Sequence, residues 1–209
     1  MVLTIERFFH IFVFYLAIFI IFLITIYKML KRDFNNRLTQ TLSMFLIFTC
    51  FTLGTNFLYA LISDPNLEPI VNLLHILAVC FLILSSAFLL LFTLMLYYPK
   101  DSFYLLKYQI LFISIYFILS LGLFLIPNGV EVKILSDGTQ MYPVWSLLFF
   151  IYFLLIFLPT MVYSIIIGVK VYKKLKSNPV LTKRMKFFIV GISCFYYTAL
   201  GACFTNFLN

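Results

Sequence analysis

Six long apolar blocks separated by short polar stretches make up most of the chain. A helix that crosses a hydrocarbon core of about 30 Å needs about 20 apolar residues, and each block is long enough. Turn-forming stretches such as Ser63-Asp64-Pro65-Asn66 and Pro127-Asn128-Gly129 interrupt the blocks. The pattern predicts an all-α, polytopic transmembrane bundle that forms one domain over residues 1–209. Its six spans are expected at about 8–29, 39–62, 70–98, 104–126, 144–170 and 185–208.

The composition indicates the same class of protein. Of the 209 residues, 64% are hydrophobic and only 11% are charged, whereas soluble domains carry roughly 45–50% apolar and about 25% charged residues. A water-soluble fold of this size could not bury so much apolar surface. The composition therefore excludes a soluble enzyme, a disordered chain and a nucleic-acid-binding domain, and it makes the lipid bilayer the expected partner.

The basic residues predict the orientation in the membrane. The connections at 28–38 and 170–186 hold most of the Lys and Arg, whereas the connection at 63–69 holds none and that at 127–143 holds only Lys133. Cytoplasmic loops of membrane proteins carry an excess of Lys and Arg. The distribution predicts a multi-pass protein of the cell membrane with both its N-terminus and its C-terminus outside.

Charged and catalytic chemistry is sparse inside the predicted spans. No Asp, Glu, Lys or Arg lies in the middle of any block, although proton-coupled pumps and voltage sensors keep such charges there. The sequence contains no phosphate-binding glycine loop, no zinc-protease motif and no nucleophile elbow. Its two histidines, His10 and His75, have no carboxylate or cysteine partner at the same depth, which makes a poor metal site. We expect no enzyme activity, no cofactor and no metal.

Uncharged polar side chains at the outer ends of the spans are the candidates for ligand binding. They are Asn56, Tyr59, Asn72, His75 and Trp145, with His10 and Asn206 at a similar depth. The spacing of three residues puts each of the pairs 56/59 and 72/75 on one face of its helix. A pocket that opens outward between the helices could orient a small ligand with these groups. The alternative is that each of them bonds a neighbouring helix or the headgroup region and only stabilises packing.

The connection at 127–143 is predicted to form a β-hairpin. Residues 131–135 partly alternate between polar and apolar, and Ser136-Asp137-Gly138-Thr139 is a turn signal. Tyr142, Pro143 and Trp145 follow the hairpin, where aromatic side chains are expected to anchor the fifth span at the membrane interface.

The sixth span carries small residues on one face, namely Gly191, Cys194, Thr198 and Gly201. Such a face lets another helix approach closely, and we expect it to pack inside the bundle or, alternatively, to bind a partner helix. The basic connection at 170–186 is expected to lie on the inner leaflet, where it attracts anionic lipid or an acidic partner.

The order of these features resembles the N-terminal seven-helix membrane region of prokaryotic sensor histidine kinases and related signalling proteins. The resembling stretches are Leu53-Gly54-Thr55-Asn56-Phe57-Leu58-Tyr59, Tyr97-Tyr98-Pro99, Ser136-Asp137-Gly138 with Tyr142-Pro143, and Lys183-Arg184-Met185-Lys186. The resemblance implies detection of external or membrane-borne stimuli. The family has a seventh helix and an output domain that these 209 residues lack, which implies a truncated reading frame or a stand-alone sensor module.

These features together predict a sensor or receptor-like membrane module. A small or lipophilic ligand would bind from the outer side, and a separate cytoplasmic or membrane signalling partner would read the change through the connections at 28–38 and 170–186. Two alternatives remain open at this point. One is a small-molecule-binding subunit of a membrane transporter, and the other is a structural partner subunit that acts through the small-residue face of the sixth span.

Overall fold

Six α-helices and one β-hairpin form the described part of the protein. The computed structural model describes residues 13, 16–62, 64–98, 105–134 and 141–208. The helices are α1 (Leu16–Arg32), α2 (Arg37–Ala60), α3 (Glu68–Tyr97), α4 (Leu106–Leu121), α5 (Leu147–Lys174) and α6 (Pro179–Leu208). Short 3₁₀ segments, Pro65–Leu67 and Gly122–Leu125, precede α3 and extend α4. The strands are β1 (Val130–Ile134) and β2 (Met141–Trp145).

The prediction of an all-α, multi-pass membrane protein is confirmed. Among the described residues five helices, α2 to α6, are long and apolar enough to cross a membrane. Helix α1 is described from Leu16 onward and has 17 residues, which is short of a full span. Of the rest of the predicted first span only Val13 is described, and His10 lies outside the described residues. Six spans therefore stay a prediction.

Polar caps fix where several helices begin. The Asn36 side chain accepts a hydrogen bond from the Leu38 amide at 2.9 Å and starts α2. Ser146 accepts one from the Phe149 amide at 3.3 Å and starts α5. The predicted fifth span began at residue 144, which is wrong, because residues 144 and 145 pair with β1 and the helix starts only after the Ser146 cap.

Helix α6 starts earlier than its predicted span. Its first residue is Pro179, whereas the apolar pattern placed the start of the span at about 185. Asn178 accepts hydrogen bonds from the amides of Val180 and Leu181. This cap begins the helix within the basic stretch, since helix formation depends on backbone bonding and not on hydropathy alone.

Helix α3 is the central helix of the bundle and packs against α2, α4 and α5. Buried hydroxyl groups link it to two of these neighbours. Thr49 of α2 and Ser85 of α3 lie 2.7 Å apart, and Thr160 of α5 donates to Ser86 at 3.1 Å. Such bonds pair polar groups that would otherwise be unpaired in an apolar interior. The apolar core beside them is built on the stacked rings of Phe153 and Phe157.

The bundle has two chemically different ends. One end carries β1 and β2, and we call it the hairpin end. The other end carries the connections α1–α2 and α5–α6, and we call it the basic end. Among the described residues, every Lys and Arg except Lys133 lies at the basic end. The prediction that this end faces the cytoplasm rests on this asymmetry.

The predicted hairpin is confirmed in the described strands. β1 and β2 are antiparallel, and Val130 is the register partner of Trp145. The Ser146 amide donates to the Gly129 carbonyl at 2.9 Å, which continues the pairing to the start of α5. The predicted turn at 136–139 lies outside the described residues. The pairing of β1 with β2 therefore places Trp145 beside the start of α3.

Two adjacent tyrosines of α6 provide a test of this packing. Tyr196 is 1% exposed and donates to Ser164 of α5 at 3.1 Å, whereas Tyr197 is 80% exposed. Tyr196→Phe should lower the free energy of unfolding by about 0.5–1.5 kcal/mol, because it removes an interhelical hydrogen bond. Tyr197→Phe is the matched control and should change stability little. Equal losses in detergent unfolding experiments would contradict this arrangement of α5 and α6.

Candidate ligand-binding site at the hairpin end

Four of the five predicted ligand-binding residues lie together at the hairpin end. They are Tyr59, Asn72, His75 and Trp145, and we call them the hairpin-end cluster. The Tyr59 and His75 rings meet edge to face with centroids 5.4 Å apart. The His75 and Trp145 rings meet in the same way at 5.9 Å. The fifth predicted residue, Asn56, is half-buried on α2 one turn before Tyr59 and bonds none of the other four.

A buried hydrogen bond joins the hairpin to α3. Trp145 Nε1 donates to His75 Nε2 at 2.7 Å, and both residues are 3% exposed. An imidazole nitrogen that accepts a hydrogen bond carries no proton, so the ring is neutral and its one proton is on Nδ1. His75 Nδ1 is buried and has no hydrogen-bond partner among the described residues. The bond to Trp145 thus leaves a buried donor unpaired.

Asn72 supplies a second link to the hairpin and a second unpaired atom. Its Nδ2 donates to the Val130 carbonyl of β1 at 3.2 Å. Its Oδ1 is buried and has no partner among the described residues. Because Asn72 and His75 are three residues apart on α3, their side chains lie on the same face of the helix. An unpaired acceptor and an unpaired donor are therefore neighbours.

These contacts form a cycle of groups with one gap. His75 bonds Trp145, Trp145 is the register partner of Val130, and Val130 bonds Asn72. A group that bonded both Asn72 Oδ1 and His75 Nδ1 would complete the cycle. We call the place between these two atoms the Asn72–His75 gap. Buried polar groups are nearly always paired in folded proteins. The gap is thus the part of the cluster that is chemically able to bind another molecule.

The surroundings of the cluster are aromatic and uncharged. The Trp145 ring meets the rings of Phe149 and Phe153 edge to face at 5.0 and 5.3 Å. Asp64 and Glu68, the charged residues nearest to Tyr59 and Asn72 along the chain, are exposed. Rigid rings of this kind hold the indole in place, and the site favours a neutral group because burial of a charge is costly.

The cluster is partly buried, and the outward-opening pocket expected from the sequence stays a prediction. Two cavities of the described residues lie elsewhere. One of about 180 Å³ lies between α1 and α2 and is lined by Leu16, Phe19, Leu53, Gly54 and Phe57. The other, about 280 Å³, lies at the basic end beside Arg32 and Asp33. At the hairpin end Trp145 and His75 are buried and bonded to each other, whereas Tyr59 and Asn72 are half-buried.

Trp145 does not lie where an interfacial anchor would. The sequence predicted Tyr142, Pro143 and Trp145 as anchors of the fifth span, but Trp145 and Pro143 are buried and Tyr142 is half-buried. For Trp145 the prediction is wrong because its indole N–H bonds an imidazole inside the protein instead of a headgroup or water. Sequence reasoning also missed the Val130 carbonyl, since a backbone acceptor leaves no signal in the side-chain pattern.

The small-residue face of α6 lies on the surface of the bundle. Its members Gly191, Cys194, Thr198 and Gly201 are all exposed. No atom of the described residues lies within 4 Å of a Cβ built on Gly191 or Gly201. The expectation that this face packs inside the bundle is wrong, because the spacing shows which residues share a face and not where the face points. The alternative, a partner helix, remains a prediction.

Comparisons with known proteins give no further assignment. No protein-family model, no curated protein and no solved structure matches this chain. Among the described residues, no group of three His, Cys, Asp or Glu side chains could hold a metal ion.

A double-mutant cycle tests the bond between α3 and the hairpin. Trp145→Phe keeps an aromatic ring but leaves His75 Nε2 buried and unpaired, which should lower the free energy of unfolding by about 1–3 kcal/mol. His75→Leu should cost less in the Trp145→Phe background than in the wild type, with a coupling of about 0.5–3 kcal/mol. Strictly additive losses in unfolding of the purified protein would show that the two side chains do not interact.

Proposed function

We propose that the protein is a membrane sensor or receptor-like module. The hairpin-end cluster binds a small neutral ligand, the helices carry the resulting change to the basic end, and a separate partner reads it there. The observation that carries this proposal is the pair of buried, unpaired atoms at Asn72 and His75. A ligand that pairs them gains hydrogen bonds that the described residues do not form.

The position of α3 supports a link between the two ends. The helix carries Asn72 and His75 near its start and ends at Tyr97. At the basic end Lys174 of α5 lies 3.7 Å from the centre of the Tyr97 ring and donates to the Tyr97 carbonyl at 3.4 Å. A shift of α3 would therefore move the last turn of α5, which leads into the basic connection. Coupling between distant sites needs such an element with two arrangements.

The charge asymmetry supports the direction of the signal. If the basic end lies in the cytoplasm, as the excess of Lys and Arg there predicts, the hairpin end faces outward and the ligand arrives from outside. This is also the arrangement implied by the resemblance to the N-terminal membrane region of sensor histidine kinases. In that arrangement the connections at 28–38 and 170–186 are the surfaces available to a cytoplasmic partner.

Spin-label distances test the coupling without a known ligand. Labels at Asn35→Cys and Lys176→Cys report the basic end, in a Cys194→Ser background that leaves only buried cysteines among the described ones. Trp145→Phe, which breaks the bond at the opposite end, should shift or broaden the distance distribution. Tyr197→Phe is the control and should leave it unchanged. An unchanged distribution in folded Trp145→Phe protein would overturn the sensor proposal.

The exposed face of α6 favours a second candidate function, that of a partner subunit in a larger complex. Small residues on a lipid-facing surface let another helix approach closely. Gly191→Leu and Gly201→Leu should change the stability of the chain itself by less than about 0.5 kcal/mol, because nothing lies within 4 Å. They should, however, abolish cross-linking through Cys194 to a neighbouring chain in native membranes. Val190→Leu, also at an exposed position, is the control, and equal cross-linking in all variants would exclude this face as an interface.

A further inference from the structure

The Asn72–His75 gap restricts the chemistry of the ligand, and this inference rests on the proposed function. We infer that the ligand carries a neutral hydroxyl group, whose oxygen accepts a hydrogen bond from His75 Nδ1 and donates one to Asn72 Oδ1. Both atoms are buried and unpaired among the described residues. The hydroxyl would complete the cycle that runs through Trp145 and Val130.

The pairing requires a group that both accepts and donates a hydrogen bond. The bond from Trp145 makes His75 Nδ1 a donor, and an amide oxygen such as Asn72 Oδ1 only accepts. A carbonyl or carboxylate would pair with His75 and leave Asn72 unpaired. An ammonium group would pair with Asn72 and leave His75 unpaired. A hydroxyl group satisfies both, and it brings no charge into an aromatic surrounding.

Because Asn72 and His75 are three residues apart on α3, one small group can contact both side chains. Side chains three residues apart on a helix have Cβ atoms about 5–6 Å apart. One oxygen that makes two hydrogen bonds of about 2.8 Å joins two atoms that are up to about 5 Å apart. In the inferred complex the hydroxyl lies between these two atoms, and the apolar remainder of the ligand lies against the half-buried ring of Tyr59.

Binding of a hydroxyl would strengthen the contact between the hairpin and α3. An acceptor at His75 Nδ1 favours the tautomer that keeps Nε2 available to Trp145, and hydrogen bonds in a chain polarise one another. The bound state is then the one in which the hairpin is held on α3. The unbound state is the one in which Trp145 separates more readily from His75. Ligand binding would therefore favour the state in which the hairpin contacts α3.

The single tryptophan of the sequence makes the site directly observable. Trp145 is the only Trp in the chain, so its emission reports on the cluster alone. We would titrate purified protein in mild detergent with cyclohexanol, and in parallel with methylcyclohexane and cyclohexanecarboxylate, which are similar in size. Cyclohexanol should give a saturable change in Trp145 emission and raise the unfolding temperature. The other two compounds should do neither.

Matched variants separate binding from partition into detergent. Asn72→Leu removes the acceptor and should weaken the apparent affinity for cyclohexanol at least about tenfold. Asn66→Leu makes the same change at an exposed position in the connection between α2 and α3, outside the cluster, and should leave the affinity unchanged. A response of equal size to methylcyclohexane, or one retained in Asn72→Leu, would overturn the inference.

The cyclohexanol titration and the spin-label experiment test different claims, so either can fail without the other. The absence of a saturable response to cyclohexanol would mean that water alone occupies the gap, which a buried polar space can hold, and would overturn the hydroxyl ligand. The sensor proposal would still stand if Trp145→Phe shifted the spin-label distances at the basic end. Binding of cyclohexanol with unchanged distances would instead confirm the hydroxyl site and overturn the sensor.

Discussion

A polar group inside a membrane protein has to find its partner within the protein, and the hydrogen bond from Trp145 to His75 is where this constraint has the largest effect. It holds β2 against α3, because both side chains are buried and a polar group left unpaired there is costly. It also fixes the tautomer of His75 and so creates the unpaired donor at Nδ1. The chemistry of the candidate site, including its neighbour Asn72, follows from this one contact.

The same constraint organises the rest of the bundle around α3. Hydroxyl groups of Ser85 and Ser86 bond Thr49 of α2 and Thr160 of α5, so that α3 is linked to its neighbours by polar contacts as well as by apolar packing. At the end of α3 the Tyr97 carbonyl accepts a hydrogen bond from the Lys174 ammonium group. In the proposed sensor, a helix held in this way at both ends and in the middle would carry a change from the hairpin end to the basic end. Interhelical bonds of this type are individually modest in energy, which permits rearrangement.

Sequence reasoning predicted what depends on hydropathy, charge and turn chemistry. The apolar blocks predicted the helices, and the alternation after Gly129 predicted the hairpin. Depth along the spans selected Tyr59, Asn72, His75 and Trp145, which the structure brings together. The bond from Trp145 to His75 could not be predicted, because it depends on a register that pairs Val130 with Trp145. The outward direction of the Gly191 and Gly201 face depends on packing against α5, which no spacing encodes.

Hydrogen exchange at the indole N–H of the single tryptophan is the most direct test of the bond between Trp145 and His75. In protein labelled with ¹⁵N at the indole of Trp145, the account predicts one indole N–H signal that exchanges slowly with deuterated water and exchanges much faster in His75→Leu. The partner of the N–H would then be the imidazole of α3. A signal that exchanges rapidly in the wild type, or at the same slow rate in His75→Leu, would show that Trp145 is not bonded to His75 and would contradict the account.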